Sequence, residues 1–146
     1  MSKKISYASG TSDKPLLGST IGNIFDKISN QYSDREAIVS VHQDIRLTYK
    51  ELSEKVNELA KALISSGFKK GDRIGIWSPN NIEWLITQYA AAKVGTILVT
   101  INPAYRSHEL DYVLGQSGCK GLVIQNQFKT SDYEFCLLYT SDAADE

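Results

Sequence analysis

From Ile21 onward the apolar positions of this chain fall into alternating helical and extended spacings. Ile21, Ile24, Phe25 and Ile28 recur at helical intervals and predict a helix over Ile21–Gln31, with Ser19 or Thr20 as its cap. Ala37–Val41 and Ile45–Leu47 read as two short strands around Gln43-Asp44, a hairpin. The longest periodic run is Tyr49–Ser66, where Leu52, Val56, Leu59, Ala60 and Leu63 form one apolar stripe. Thr48 and Glu51 have capping-box spacing at its start, each satisfying a backbone amide that the first turn leaves open. Gly67 supplies the left-handed stop, and Phe68 can pack back on the last turn.

Beyond Gly67 the chain alternates strand and helix. Arg73–Trp77 is a strand, and Asn81–Lys93 a helix with Ile82, Leu85, Ile86 and Tyr89 on one face. Thr96–Ile101 (TILVTI) is continuous, apolar and rich in β-branched residues, the pattern of a strand covered on both faces. Ser107–Gln116 is a short helix and Gly121–Ile124 another buried strand. Short loops between alternating strands and helices predict a parallel sheet with right-handed crossovers, so the fold class is α/β. Residues 1–18 are polar and carry Gly10, Pro15 and Gly18, which reads as an extended leader.

Composition narrows the function classes. Of 146 residues, 42% are hydrophobic and 23% charged, and the net charge of −1 gives no basic excess to release counterions from a nucleic acid or to hold an anionic membrane. The basic doublets Lys3–Lys4 and Lys69–Lys70 read as solvated surface. No apolar run approaches the ~20 residues of a spanning helix, and MSKKISYASGTSDKP lacks the apolar stretch of a secretory signal. Cytoplasm is the expected compartment. Cys119 stands alone in the native part, since Cys136 lies in the tail discussed below, so no disulfide or cysteine-based metal site is expected.

Candidate chemistry is sparse. His42, in the turn, and His108, beside Arg106 and Glu109, have no partner at metal-ligand spacing and read as exposed polar residues. Glu51, Glu54 and Glu58 interleave with Lys50, Lys55 and Lys61, which makes a solvated helix face and not a carboxylate pair. No glycine-rich phosphate loop of either common type occurs. Two loops follow predicted parallel strands, where ligands of open sheets gather. In Asn102-Pro103-Ala104-Tyr105-Arg106, Tyr105 and Arg106 offer an aromatic face and a cation; the plainer reading is that Pro103 stops the strand and Ser107 caps the next helix. Ser78-Pro79-Asn80-Asn81 reads most simply as a helix cap. No catalytic or metal residue is assigned.

Taken together, Leu47-Thr48-Tyr49-Lys50-Glu51-Leu52, Gly71-Asp72-Arg73-Ile74-Gly75-Ile76, Asn80 to Trp84, and Ala91-Ala92-Lys93-Val94-Gly95 with Asn102-Pro103 downstream resemble, in order and spacing, the opening motifs of the adenylate-forming (AMP-binding) superfamily. The resemblance covers roughly residues 15–128, and the wording NPAYRSHEL is most similar to fatty-acyl-CoA synthetases near the medium-chain branch. It implies the N-terminal part of an acyl-CoA synthetase/luciferase-type fold and an AMP-forming acid–thiol ligase. A fatty acid and ATP would give an acyl-adenylate, which CoA converts to the thioester, with Mg²⁺ assisting at the phosphates. The Ser/Thr/Gly-rich loop, acidic ribose-binding residue and distal lysine that the superfamily uses are absent from these residues, so this stretch is expected to be inactive alone.

Cys136–Glu146 (CLLYTSDAADE) is similar to the translated frame of a transposon-end sequencing adapter. A non-native tail over 136–146 and a native stretch over 19–135 that continues in a longer protein are therefore expected. The competing readings are another adenylate former, activating an aryl or amino acid, and a freestanding non-catalytic α/β binding module.

Overall fold

The computed structural model describes residues 10, 13–14, 16–128, 131–134 and 137. Helix α1 spans Ile21–Gln31, capped by Thr20, whose hydroxyl accepts from Asn23 N at 3.2 Å. Strands β1 (Glu36–Ser40) and β2 (Ile45–Thr48) form the antiparallel hairpin, with an irregular register at Ala37. The strand stops one residue short of the expected Val41, which instead opens a 3₁₀ turn over Val41–Gln43, closed by Asp44 in the left-handed region at φ 53°.

Helix α2 (Tyr49–Ser65) carries the expected capping box at both ends of the pair. Glu51 Oε2 accepts from Thr48 N at 2.8 Å, and Thr48 Oγ1 accepts from Glu51 N at 3.3 Å. Leu52, Val56, Ala60 and Leu63 are buried, while Lys50, Glu51, Glu54, Lys55, Glu58 and Lys61 are exposed. At the far end Gly67, at φ 85°, lets Phe68 N reach Leu63 O at 3.0 Å, closing orphan carbonyls of the last turn.

The parallel sheet consists of β3 (Arg73–Trp77), β4 (Ile97–Ile101) and β5 (Gly121–Ile124) in the order β4-β3-β5. Helix α3 (Ile82–Val94) links β3 to β4, and α4 (Ser107–Ser117) links β4 back past β3 to β5. Two crossovers of one hand running in opposite directions must lie on opposite faces, and the packing agrees. Ile74, Leu98 and Val123 pack with α1, α2 and α3, through Phe25, Val56, Leu63 and Ala90. Trp77, Val99, Ile101, Leu122 and Ile124 pack with Leu110, Val113 and Leu114 of α4. Short antiparallel β6 (Gln127–Phe128) and β7 (Ser131–Asp132) follow.

The burial of the strands corrects the sequence reading. TILVTI reads as the strand covered on both faces, yet β4 is at the edge of the three-stranded sheet and Ile97 is 49% exposed. The central strand is β3, whose Ile74, Gly75, Ile76 and Trp77 are all buried, and β5 is only half-buried. An apolar run records tolerance for burial and does not encode which strand takes the middle.

Candidate functional site

Because α3 leaves β3 toward one face and α4 leaves β4 toward the other, the loops after these adjacent strands diverge. A crevice of about 520 Å³ opens between them, lined by Ser78, Pro79 and Asn80 on one side, Thr100, Ile101, Asn102 and Pro103 on the other, and Trp84. Both loops singled out from sequence thus meet at one place, the carboxyl end of the sheet.

Each loop is shaped by its own side chains. Asn81 is the cap of α3, as its position suggests: its Oδ1 accepts from Trp84 N at 2.8 Å, while its Nδ2 donates to Ser78 Oγ at 2.9 Å and Gln125 Oε1 at 2.8 Å. Gln43, from the hairpin turn, accepts from Ile82 N at 2.9 Å and donates to Glu83 at 2.8 Å. In the second loop Asn102 Oδ1 accepts from Ala104 N at 2.9 Å, and Asn102 O from Tyr105 N at 3.0 Å. Ser107 does not cap α4, contrary to the sequence reading. Arg106 holds the cap position and Glu109 Oε2 accepts its N–H at 3.0 Å, half of a capping box that an arginine side chain cannot complete because it has no acceptor.

Of the two groups this loop offered, Tyr105 packs partly into the Trp77 cluster and Arg106 is exposed. Neither lines the crevice. Both histidines are exposed, and His108 stands on α4 apart from His42. The free thiol of Cys119 accepts from Ser117 Oγ at 3.2 Å. Lys69–Lys70 is exposed, whereas Lys3–Lys4 and Cys136 lie outside the described residues.

A second, wider cleft of about 660 Å³ lies on the β5 side and is bordered by His42, Gln43, Glu83, Gln125, Asp132 and Glu134 among others. Sequence inspection missed it because its walls come from the hairpin, α3, β5 and the segment after β7. Its amides form the network just described, and the spacing of Gln43 and Asn81 along the chain gives no sign that both serve one helix start.

The residues present do not fit a triphosphate or its magnesium ion. Among the described residues no cation lines the crevice, and the wider cleft presents Glu83, Asp132 and Glu134. A helix start is otherwise a natural anion site, but at α3 the Ile82 and Trp84 amides are already taken by Gln43 and Asn81. Among the described residues no cluster of three His, Cys, Asp or Glu side chains is placed to hold a metal. The carboxylates with shifted pKa values serve backbone turns: Glu51 is lowered by the Thr48 N–H, Asp72 by Lys120, and Glu109 by backbone N–H groups including that of Arg106.

Residues 25–143 match the family described as AMP-binding enzyme. The chain is 46% identical over 129 residues to the mitochondrial medium-chain acyl-CoA ligase ACSF2 of Mus musculus, covering 88% of this chain and 21% of that protein. It is 41% identical over 118 residues to the putative acyl-CoA synthetase YngI of Bacillus subtilis, covering 81% of this chain and 22% of that protein. Among solved structures it is similar to a Mycobacterium tuberculosis fatty acyl CoA synthetase, with TM-score 0.69 and 30% identity over 72% of this chain and 21% of that one. It is similar also to the N-terminal subdomain of Klebsiella oxytoca NpsA, with TM-score 0.69 and 28% identity over 75% of this chain and 28% of that one. The chain thus spans about a fifth of the length of the curated relatives it matches.

Proposed function

Because the chain belongs to the AMP-binding enzyme family, we propose that it is the amino-terminal part of an ATP-dependent, AMP-forming fatty-acid–CoA ligase. The observation that carries this reading is the 46% identity to a medium-chain acyl-CoA ligase over 88% of the chain. In this reading a fatty carboxylate and ATP give an acyl-adenylate and pyrophosphate, and CoA then releases AMP and leaves the thioester. Mg²⁺ accompanies ATP, and no residue described above is assigned to it.

The described residues contribute scaffold: a parallel sheet whose carboxyl end is shaped and open, without the cations that charge development at phosphorus requires. The 146-residue chain is accordingly proposed to be inactive by itself, and ATP/pyrophosphate exchange by the purified chain would refute that. Its native part is proposed to end near Phe135, while the family match runs on to residue 143. Cytoplasm is the proposed compartment; the mouse relative is named as mitochondrial. No described helix is long and apolar enough to cross a membrane.

A second reading is an aryl-acid activator, favoured by the NpsA subdomain, whose structures include one with anthranilyl-AMSN. Its TM-score of 0.66 at 30% identity is similar to that of the fatty acyl CoA synthetase, so the fold does not separate the two; the higher identity to acyl-CoA ligases supports the fatty-acid reading. The test is to recover the coding DNA across codon 135 without transposon adapters and assay the longer product with octanoate, benzoate and amino acids. Octanoyl-CoA formation is expected. Exclusive adenylation of benzoate or an amino acid would overturn the fatty-acid assignment.

A further inference from the structure

The geometry points to Tyr133 as a positioning residue for the loop that walls the crevice, a role that rests on the ligase reading only in taking this end of the sheet as ligand-facing. Trp77 is the last residue of the central strand and is fully buried. Its indole Nε1–H donates to Asn102 O at 3.1 Å. Tyr133 arrives from after β7, is equally buried, and lies flat on that indole with ring centroids 3.7 Å apart and planes 7° apart. Its hydroxyl donates to Pro103 O at 2.5 Å, and its own N–H donates to Asn126 O at 2.9 Å.

Consecutive carbonyls of the loop, Asn102 and Pro103, therefore accept from aromatic side chains of two different elements. Asn102 also holds Ala104 N and Tyr105 N, so the two aromatic donors anchor the residues around which the loop turns. What the two aromatic donors set is the place of the loop relative to β3. That placement fixes the distance between the Asn102–Pro103 wall and the Pro79–Asn80 wall of the crevice. Tyr133, held by Asn126 O, thereby acts on the crevice without lining it. A ring that merely filled the core would have no use for the hydroxyl, and Phe would serve as well.

The test is hydrogen exchange by mass spectrometry on the 146-residue chain as wild type, Tyr133→Phe and Tyr133→Ala. Tyr133→Phe keeps the ring and removes one hydrogen bond to a carbonyl. The Ala104 and Tyr105 amides should then exchange about threefold to tenfold faster, while the β3 amides keep their protection and the near-ultraviolet dichroism of the stacked pair is retained. Tyr133→Ala should also lose that dichroic signature. Unchanged exchange at Ala104 and Tyr105 in Tyr133→Phe would overturn the proposal, as would equal acceleration across β3 and α3, which marks a purely structural role. If Tyr133→Ala does not fold, Tyr133→Phe decides alone. The measurement needs no turnover, so it stands apart from the ligase reading, which the octanoate assay tests.

Discussion

Lys93 of α3 and Asp26 of α1 meet with Nζ 2.5 Å from Oδ1, and the same ammonium lies 2.5 Å from Asn57 Oδ1 on α2. One lysine at the end of α3 therefore joins all three helices that cover this face of the sheet. Its side chain is 17% exposed and that of Asp26 41%, so the pair sits at the margin of the core. The close approach is possible because α1 crosses at Gly22, where an added Cβ would stand 3.1 Å from Lys93 Cα.

Replacing Lys93 by Met keeps the apolar stem and removes the three-way donor. Asp26 can turn to water, but the half-buried Asn57 loses a charged partner, so a loss of about 1–2 kcal/mol in urea unfolding is expected. Asp26→Asn should cost less. Equal stability of Lys93→Met and wild type would show that packing alone holds the three helices.

Thr48→Ala removes the acceptor for Glu51 N and leaves the first turn of α2 half-capped. The expected loss is about 1 kcal/mol. Because Leu52 and Val56 still drive α2 onto the sheet, far-ultraviolet dichroism at neutral pH should change little while the urea midpoint falls.

Acid should weaken the fold through the turn carboxylates. The carboxyl of Glu51 lies below its ordinary 4.5 because of the Thr48 N–H and hydroxyl, and that of Asp72 below 3.8 because of Lys120 and the Lys69 N–H. A lowered folded pKa means that the unfolded chain binds more protons, so this stabilisation is full above the ordinary values and is lost as pH falls through the depressed ones. Urea midpoints should therefore begin to fall below about pH 4.5. Glu51→Ala should flatten that slope; an unaltered slope would assign acid sensitivity to other groups.

Among the described strands β4 pairs with β3 alone, and it presents Ile97 at 49% exposure beside its open edge. Open apolar edges recruit other chains, and a lysine there discourages pairing. Ile97→Lys is expected to raise the concentration at which light scattering sets in, with the thermal midpoint nearly unchanged. No gain in solubility would place the sticky surface elsewhere, for example at Val41, which is 85% exposed.

Local elements were legible because their signals are local. Thr48 and Glu51 lie within one turn, and so do Gly67 and Phe68; each pair makes its bonds over three to five residues, so spacing suffices to find them. The chain order of the α/β alternation and most element ends could be read in the same way. Errors arose where two local solutions compete: Val41 was open to strand or turn, and the start of α4 to Ser107 or Arg106. Of the candidate site, the two loops were legible as strand-to-helix turns, but their convergence on one crevice was not, because it depends on which neighbour each strand selects.

By itself, then, the sequence determined the alternation of strands and helices, the caps that bound them and the family motifs, since all of these reside in short windows of side-chain size and hydrogen-bonding capacity. Only the tertiary structure decided that β3 takes the centre and the TILVTI strand the edge. It alone brought Lys93 to Asp26 and laid Tyr133 on Trp77. Those pairings cross 67 and 56 residues of chain; the first separation is fixed by where three helices pack, and neither partner carries a mark of the other in its own neighbourhood.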